Sequence, residues 1–167
     1  MQFVTLTTDF GTQDFYVGAL KGALLSRCHS LQLVDVSHDI SPFDIVQGAF
    51  VLRNVWPTFP AGSIHLLGVH CVYDAGYRFV AARHHGHYFL APDNGLLSLL
   101  FDSIEPTDLR NLPADPAEHF AVKKYLPTQR PIWPKAAHLK NLGNTLRHSC
   151  NASASSRSSR LPASGAP

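Results

Sequence analysis

Residues able to do chemistry gather in three short stretches: Asp9-Phe10-Gly11-Thr12, the segment from His70 to Gly76, and Pro92-Asp93-Asn94-Gly95. Each adjoins an apolar run that reads as a β-strand, and an open α/β sheet places its ligands beyond the carboxyl ends of its strands. A carboxylate offers two acceptor oxygens and no donor. Asp9 therefore suits the two neighbouring hydroxyls of a ribose, with Gly11 allowing close backbone approach. The same residue also reads as a turn aspartate that caps the next helix. Asp93-Asn94-Gly95 is first a turn motif, because Asn and Gly tolerate positive φ. His84, His85 and His87 invite a metal reading. Two are adjacent, however, and none has an acidic or cysteine partner at useful spacing, so a solvated hairpin tip is expected. Cys28, Cys71 and Cys150 form no CxxC pair, which argues against a thiolate metal site. Asp-Phe-Gly also occurs in protein kinases, but the chain has neither a glycine-rich phosphate loop nor an HRD motif.

The elements that must position these residues follow from periodicity. Residues 2–8 are β-rich and end at Asp9. Residues 14–27 place Val17, Leu20, Leu24 and Leu25 at helical spacing, with Asp14 near the positive helix end. Residues 31–36 form a second strand. Ser41-Pro42-Phe43-Asp44 is a helix start, with Ser41 as the expected cap, and the helix stops before Pro57. Residues 63–70 are apolar enough for a central strand. Residues 77–83 and 87–91 read as a hairpin around His85-Gly86, and Leu96 to Phe101 as a short helix. Strands alternating with helices give an α/β fold: a mostly parallel sheet with helices on both faces and a ligand site at the strand ends.

Composition divides the chain. The apolar share of 45% can build a core. Residues 1–118 hold all twelve acidic residues and six Lys/Arg, whereas residues 119–167 hold eight Lys/Arg and no acid. Basic tails often bind nucleic acid. This one has only Trp133 as an aromatic beyond Tyr125, so no nucleic-acid partner is expected. The domain reading is an α/β domain over 1–118, a linker or helix over 119–143 and a disordered tail over 144–167. No apolar run approaches the roughly 18 residues of a membrane span. The amino terminus starts directly as a strand. A cytoplasmic protein without a membrane partner is expected.

Several stretches together resemble the S-adenosylmethionine hydroxide adenosyltransferase family, relatives of the fluorinase and chlorinase. They are Thr5-Leu6-Thr7-Thr8-Asp9-Phe10-Gly11, Asp14, Tyr16 to Gly22, Val34-Asp35-Val36-Ser37-His38, Ser41 to Ile45, Gly48 to Leu52, Phe59 to His65, and Ala91 to Ser98. The resemblance implies hydrolysis of S-adenosylmethionine by attack of water or hydroxide at C5′, giving adenosine and methionine, with no cofactor and no metal. It implies that Asp9 holds the ribose hydroxyls, that Phe10, Asp14, Tyr16 and Phe43 line or support the nucleoside site, and that Asp93 and Asn94 shape its floor.

The chain also departs from the family pattern. The family's catalytic Asp position falls on His70, and its Arg position on Tyr77 or, with a shift of one, on Arg78. A family His falls near Thr128. His70, of a residue type whose unperturbed side chain titrates near neutrality, and Asp74 are the candidate bases, with Arg78 as the further candidate. His70 also reads as a plain polar loop residue. The family's carboxy-terminal β-barrel, packed against a neighbouring subunit in a homotrimer, has no counterpart in this sequence. The acid-free Ser/Arg-rich tail is what a shifted reading frame would encode. A catalytically inactive adenosine-binding or oligomerisation module is therefore the alternative.

Overall fold

The computed structural model describes residues 2–71, 78–101 and 108–112. The expected linker or helix over 119–143 and the tail over 144–167 lie outside the described residues. β1 (Gln2–Thr8), α1 (Tyr16–Arg27), β2 (Leu31–Ser37), α2 (Ile45–Val55) and a single 3-10 turn (Trp56–Thr58) lead to β3 (Ile64–Gly68). The hairpin β4 (Phe79–His84) and β5 (His87–Pro92), the short α3 (Leu96–Phe101) and β6 (Asp108–Leu112) follow. The strands form one sheet in the order β2-β1-β3-β5-β4-β6. β1 pairs in parallel with β2 and β3, and β3 with β5; β4 runs antiparallel to β5 and β6. The expected α/β class holds, with the hairpin and β6 as its antiparallel margin.

Burial explains the layering. β1 is covered on both faces, with Val4, Leu6, Thr5, Thr7 and Thr8 all buried. On one face Leu20 and Leu24 of α1 pack with Val4, Leu6, Leu66 and Leu90. On the other, Ala49 and Leu52 of α2 and Leu96 and Leu100 of α3 pack with Leu67, Val69 and Phe89. The chain leaves β1 toward β2 over one face and returns from β2 to β3 over the other. A crevice therefore opens between the carboxyl ends of β1 and β3, where the strand order reverses.

Local details correct the sequence reading. The cap of α2 is Asp44, not Ser41: Asp44 Oδ1 accepts the Gln47 N–H at 2.8 Å, and Gln47 Oε1 accepts the Ser41 N–H at 2.7 Å. α1 begins at Tyr16 without a side-chain cap, so Asp14 stands just ahead of the helix. The hairpin turn has both central residues left-handed, His85 at φ 47° and Gly86 at φ 79°, as a type I′ turn requires.

The histidines at this hairpin do not form a solvated tip. His84 and His87 are buried, and only His85 is exposed. Trp56 packs edge-on against His84, His87 and Phe89 and stacks on His85. The apolar ring of Trp56 is what draws them in. Beneath it, His65 Nε2 lies 3.1 Å from His87 Nδ1, and His65 Nδ1 lies 2.8 Å from Thr5 Oγ1. Among the described residues no group of three or more His, Cys, Asp or Glu is arranged to hold a metal.

Burial, and then the charge of His87, pushes the pKa of His65 down to about 3. Burial and neighbouring histidines also lower His84 and His87. A histidine lowered on folding is neutral in the native state and protonated first in the unfolded chain. Stability is thus complete above the unfolded pKa of about 6.5 and falls as the pH drops toward the folded value. His65 alone contributes a slope of up to about 1.4 kcal/mol per pH unit. Urea unfolding at pH 7.5, 6 and 5 should show a steadily falling midpoint; a constant midpoint across that window would refute the neutral, buried cluster.

Candidate functional site

The turn after β1 is held by three successive backbone donors. Asp9 N donates to Gly68 O at 3.4 Å, Phe10 N to Thr8 Oγ1 at 3.4 Å, and Gly11 N to His38 O at 2.8 Å. Gly11 takes φ 70°, which favours glycine. Close packing of β1 on β3 also requires Gly68, since a Cβ there would meet Thr8 Cγ2 at 3.1 Å and Phe10 Cζ at 3.3 Å.

The turn aims the half-buried Asp9 into the crevice. Its Oδ2 accepts two backbone N–H groups, from Phe43 at 3.1 Å and from His70 at 2.9 Å. Both donors have left-handed backbones, at φ 67° for Phe43 and 55° for His70. Such a conformation costs a non-glycine residue about 1–3 kcal/mol and concentrates at functional sites. Their rings meet edge to face with centroids 5.0 Å apart. One carboxylate oxygen thus draws the loop before α2 and the loop after β3 onto the end of β1. Asp9 Oδ1 makes no hydrogen bond among the described residues.

The other sequence candidates fall around this point unevenly. Phe10 packs partly on the core and lies 6.1 Å from the ring of Tyr16, which stacks on Phe15 at 4.5 Å. Phe43 is 63% exposed and Tyr16 39%. Asp14 is exposed, and no hydrogen bond or ion pair joins it to Asp9. Asn94 Nδ2 donates to Val69 O at 3.1 Å, tying the Pro92–Gly95 turn to the residue before His70. Asn94 Oδ1 accepts the Leu96 N–H at the start of α3 at 3.2 Å. Arg78 Nη2 lies 3.2 Å from Asp93 Oδ2, and the Asp93 N–H donates to Arg78 O at 2.8 Å. The structure therefore joins Asp9, Phe43 and His70 directly, and Asn94 to them through Val69. Asp74, Tyr77 and Thr128 lie outside the described residues.

Sequence reasoning passed over Thr8 and His38 as working residues. Thr8 Oγ1 lies 2.8 Å from His38 Nδ1, and both residues are buried. The quoted Val34-to-His38 stretch contained His38, but only the parallel pairing of β1 with β2 sets it against Thr8.

Residues 4–148 match the family model described as the SAM hydroxide adenosyltransferase N-terminal domain. The chain is 36% identical over 109 residues to an (R)-S-adenosyl-L-methionine hydrolase of Methanocaldococcus jannaschii, covering 62% of this chain and 41% of that protein. It is 28% identical over 141 residues to a fluorinase of an Actinoplanes species, covering 69% of this chain and 47% of that protein. A crystal structure of a conserved hypothetical protein from Thermus thermophilus superposes with a TM-score of 0.66 at 26% identity, covering 87% of this chain and 57% of that one. The chain thus spans less than half the length of these curated relatives.

Replacing Asp9 with alanine leaves the Phe43 and His70 N–H groups without their acceptor. The variant should lose about 1–3 kcal/mol of stability in urea unfolding, whereas Asp9→Asn, which keeps one acceptor oxygen, should lose less. Equal stability of wild type and Asp9→Ala would show that the clamp carries no weight.

Proposed function

The chain belongs to the SAM hydroxide adenosyltransferase family through its N-terminal domain, and on that premise we propose that it binds S-adenosylmethionine and takes part in its hydrolysis to adenosine and methionine. The observation that carries this reading is Asp9, pinned through Oδ2 with Oδ1 unspent at the crevice where the strand order reverses. Oδ1 would accept the ribose hydroxyls. The ring faces of Phe10, Tyr16 and Phe43 would flank the nucleoside, and Asn94 and Asp93 would form the floor on the β5 side.

The chemistry asks little acid–base work of the protein. Water attacks C5′ in line with the sulfonium, the C5′–S bond breaks, and its electron pair leaves on sulfur as neutral methionine thioether. The attacking water gives up one proton and no group need donate one. The main task is to hold C5′, sulfur and water in line, an entropic gain. In our reading His70, beside Phe43, is the candidate acceptor of that proton, with Asp74 as the other; Arg78 is held by Asp93 nearby. The reaction as we propose it uses no cofactor or metal, in a cytoplasmic protein that has no nucleic-acid or membrane partner; a homotrimer is the assembly that the family resemblance implies. No helix among the described residues is long and apolar enough to cross a membrane.

A second reading, an inactive adenosine-binding or assembly module, is favoured by one observation: His70, with its ring against Phe43, occupies the second position after β3, where the family resemblance leads one to expect a carboxylate. Two measurements separate the readings. Incubation of the purified chain with S-adenosylmethionine should release equimolar adenosine and methionine above the buffer rate. Calorimetry should show adenosine binding that weakens at least tenfold in Asp9→Asn while the protein stays folded, as expected for losing a charge-assisted bond. Binding without turnover selects the module; unaltered adenosine affinity in Asp9→Asn would sink both.

A further inference from the structure

We propose that His38 is a positioning residue for this site, fixing the Phe10 and Gly11 backbone that follows Asp9. The inference rests on the nucleoside reading of Asp9 and deepens it. His38 follows β2 and is 5% exposed, so no solvent competes for its ring. Its carbonyl accepts the Gly11 N–H at 2.8 Å. Its Nδ1 lies 2.8 Å from Thr8 Oγ1, and that oxygen accepts the Phe10 N–H. One residue thus holds the backbone on the far side of Asp9 twice, once directly and once through Thr8.

The direction of the chain follows from its far end. Asp35 Oδ1 lies 3.2 Å from His38 Nε2, and Asp35 Oδ2 lies 2.5 Å from Lys21 Nζ. Burial works to raise the Asp35 pKa, but Lys21 and His38 together outweigh it and the pKa is lowered. Asp35 is then a carboxylate and can only accept. In the Nε2–H tautomer the ring proton faces Asp35, in a contact that does not meet hydrogen-bond geometry. Nδ1 is left bare and accepts the Thr8 hydroxyl proton, which frees the Thr8 oxygen for Phe10 N–H. With the opposite tautomer Nδ1–H would donate to Thr8 Oγ1, whose second lone pair still accepts the Phe10 N–H, so the link through Thr8 holds with either tautomer. Lys21 on α1 and Asp35 on β2 thus favour one direction of the His38–Thr8 hydrogen bond.

The test reads the turn itself. Amide hydrogen exchange is followed on the full chain for wild type, His38→Leu, His38→Asn and Thr8→Val, with adenosine affinity measured on the same samples. In His38→Leu and Thr8→Val the Phe10 amide should exchange about tenfold faster, with a smaller change at Gly11, whose acceptor is the backbone carbonyl of residue 38, while the Leu6 and Leu66 amides of the sheet do not change. His38→Asn, whose side-chain oxygen can stand in for Nδ1, should recover most of the protection. Unchanged exchange at Phe10 and Gly11 would overturn the proposal. So would acceleration spread evenly over the sheet, or unfolding of both His38→Leu and Thr8→Val, since His38 would then be only a core strut. If wild type binds no adenosine, the nucleoside reading fails by itself and the exchange pattern still decides the role of His38. If it does bind, affinity should fall in parallel with protection.

Discussion

A single carboxylate oxygen sets the geometry of this molecule's working end. Asp9 Oδ2 takes the backbone N–H groups of Phe43 and His70, both of which sit in the left-handed region. Neither backbone would adopt that conformation unaided, since a residue with a Cβ is strained there. Hydrogen bonds to an ionised acceptor are stronger than neutral ones and are of the size needed to offset such strain. The same contact places an aromatic ring and an imidazole against each other at the mouth of the crevice. Loop shape, ring placement and the one unspent acceptor are therefore consequences of one interaction.

Asp9 can reach both loops only because of the strand order. β1 lies between β2 and β3, so a residue just past its end has the β2–α2 connection on one side and the β3 loop on the other. The match of Thr8 to Gly68 brings the two strand ends level, and the missing Cβ at Gly68 lets Phe10 fold down between them. At the other end of the sheet the Trp56–histidine cluster closes the core without any comparable opening. Among the described residues, two of the three non-glycine residues with left-handed backbones, Phe43 and His70, gather around Asp9, and the third, His85, sits in the hairpin turn.

Much of this was legible in the residues. Val4, Leu6, Leu20 and Leu24 announced a strand and a helix that pack together, and His85-Gly86 announced a hairpin. Asp9 stood out because a strand ended there. Three features were hidden, each for a physical reason. The left-handed backbone of Phe43 is not encoded by its own type, which disfavours it; it depends on an acceptor 34 residues away. His84 and His87 looked polar and solvated because Trp56, their apolar cover, lies on a different element. β6, with only Leu112 buried and Asp108, Arg110 and Asn111 facing outward or half covered, lacks the alternation that would mark a strand. It exists because β4 offers an unpaired edge.

The proposed chemistry also explains why the carboxylate should serve the sugar and not the sulfur. Attack at C5′ turns a sulfonium cation into a neutral thioether, so positive charge at sulfur fades on the way to the transition state. A carboxylate beside the sulfonium would stabilise the reactant more than the transition state and slow the step. Spent on ribose hydroxyls, the same charge fixes C5′ without touching the charge that disappears. The two N–H groups on Oδ2 further weaken its reach toward a cation. Phe43 at 63% exposure and Tyr16 at 39% offer neutral ring faces that are better suited to the neighbourhood of a charge about to vanish. Rings so open to water cannot by themselves strip the attacking water of bulk solvent. What the described residues supply is the alignment of the reacting atoms, which is the term that holding C5′ demands.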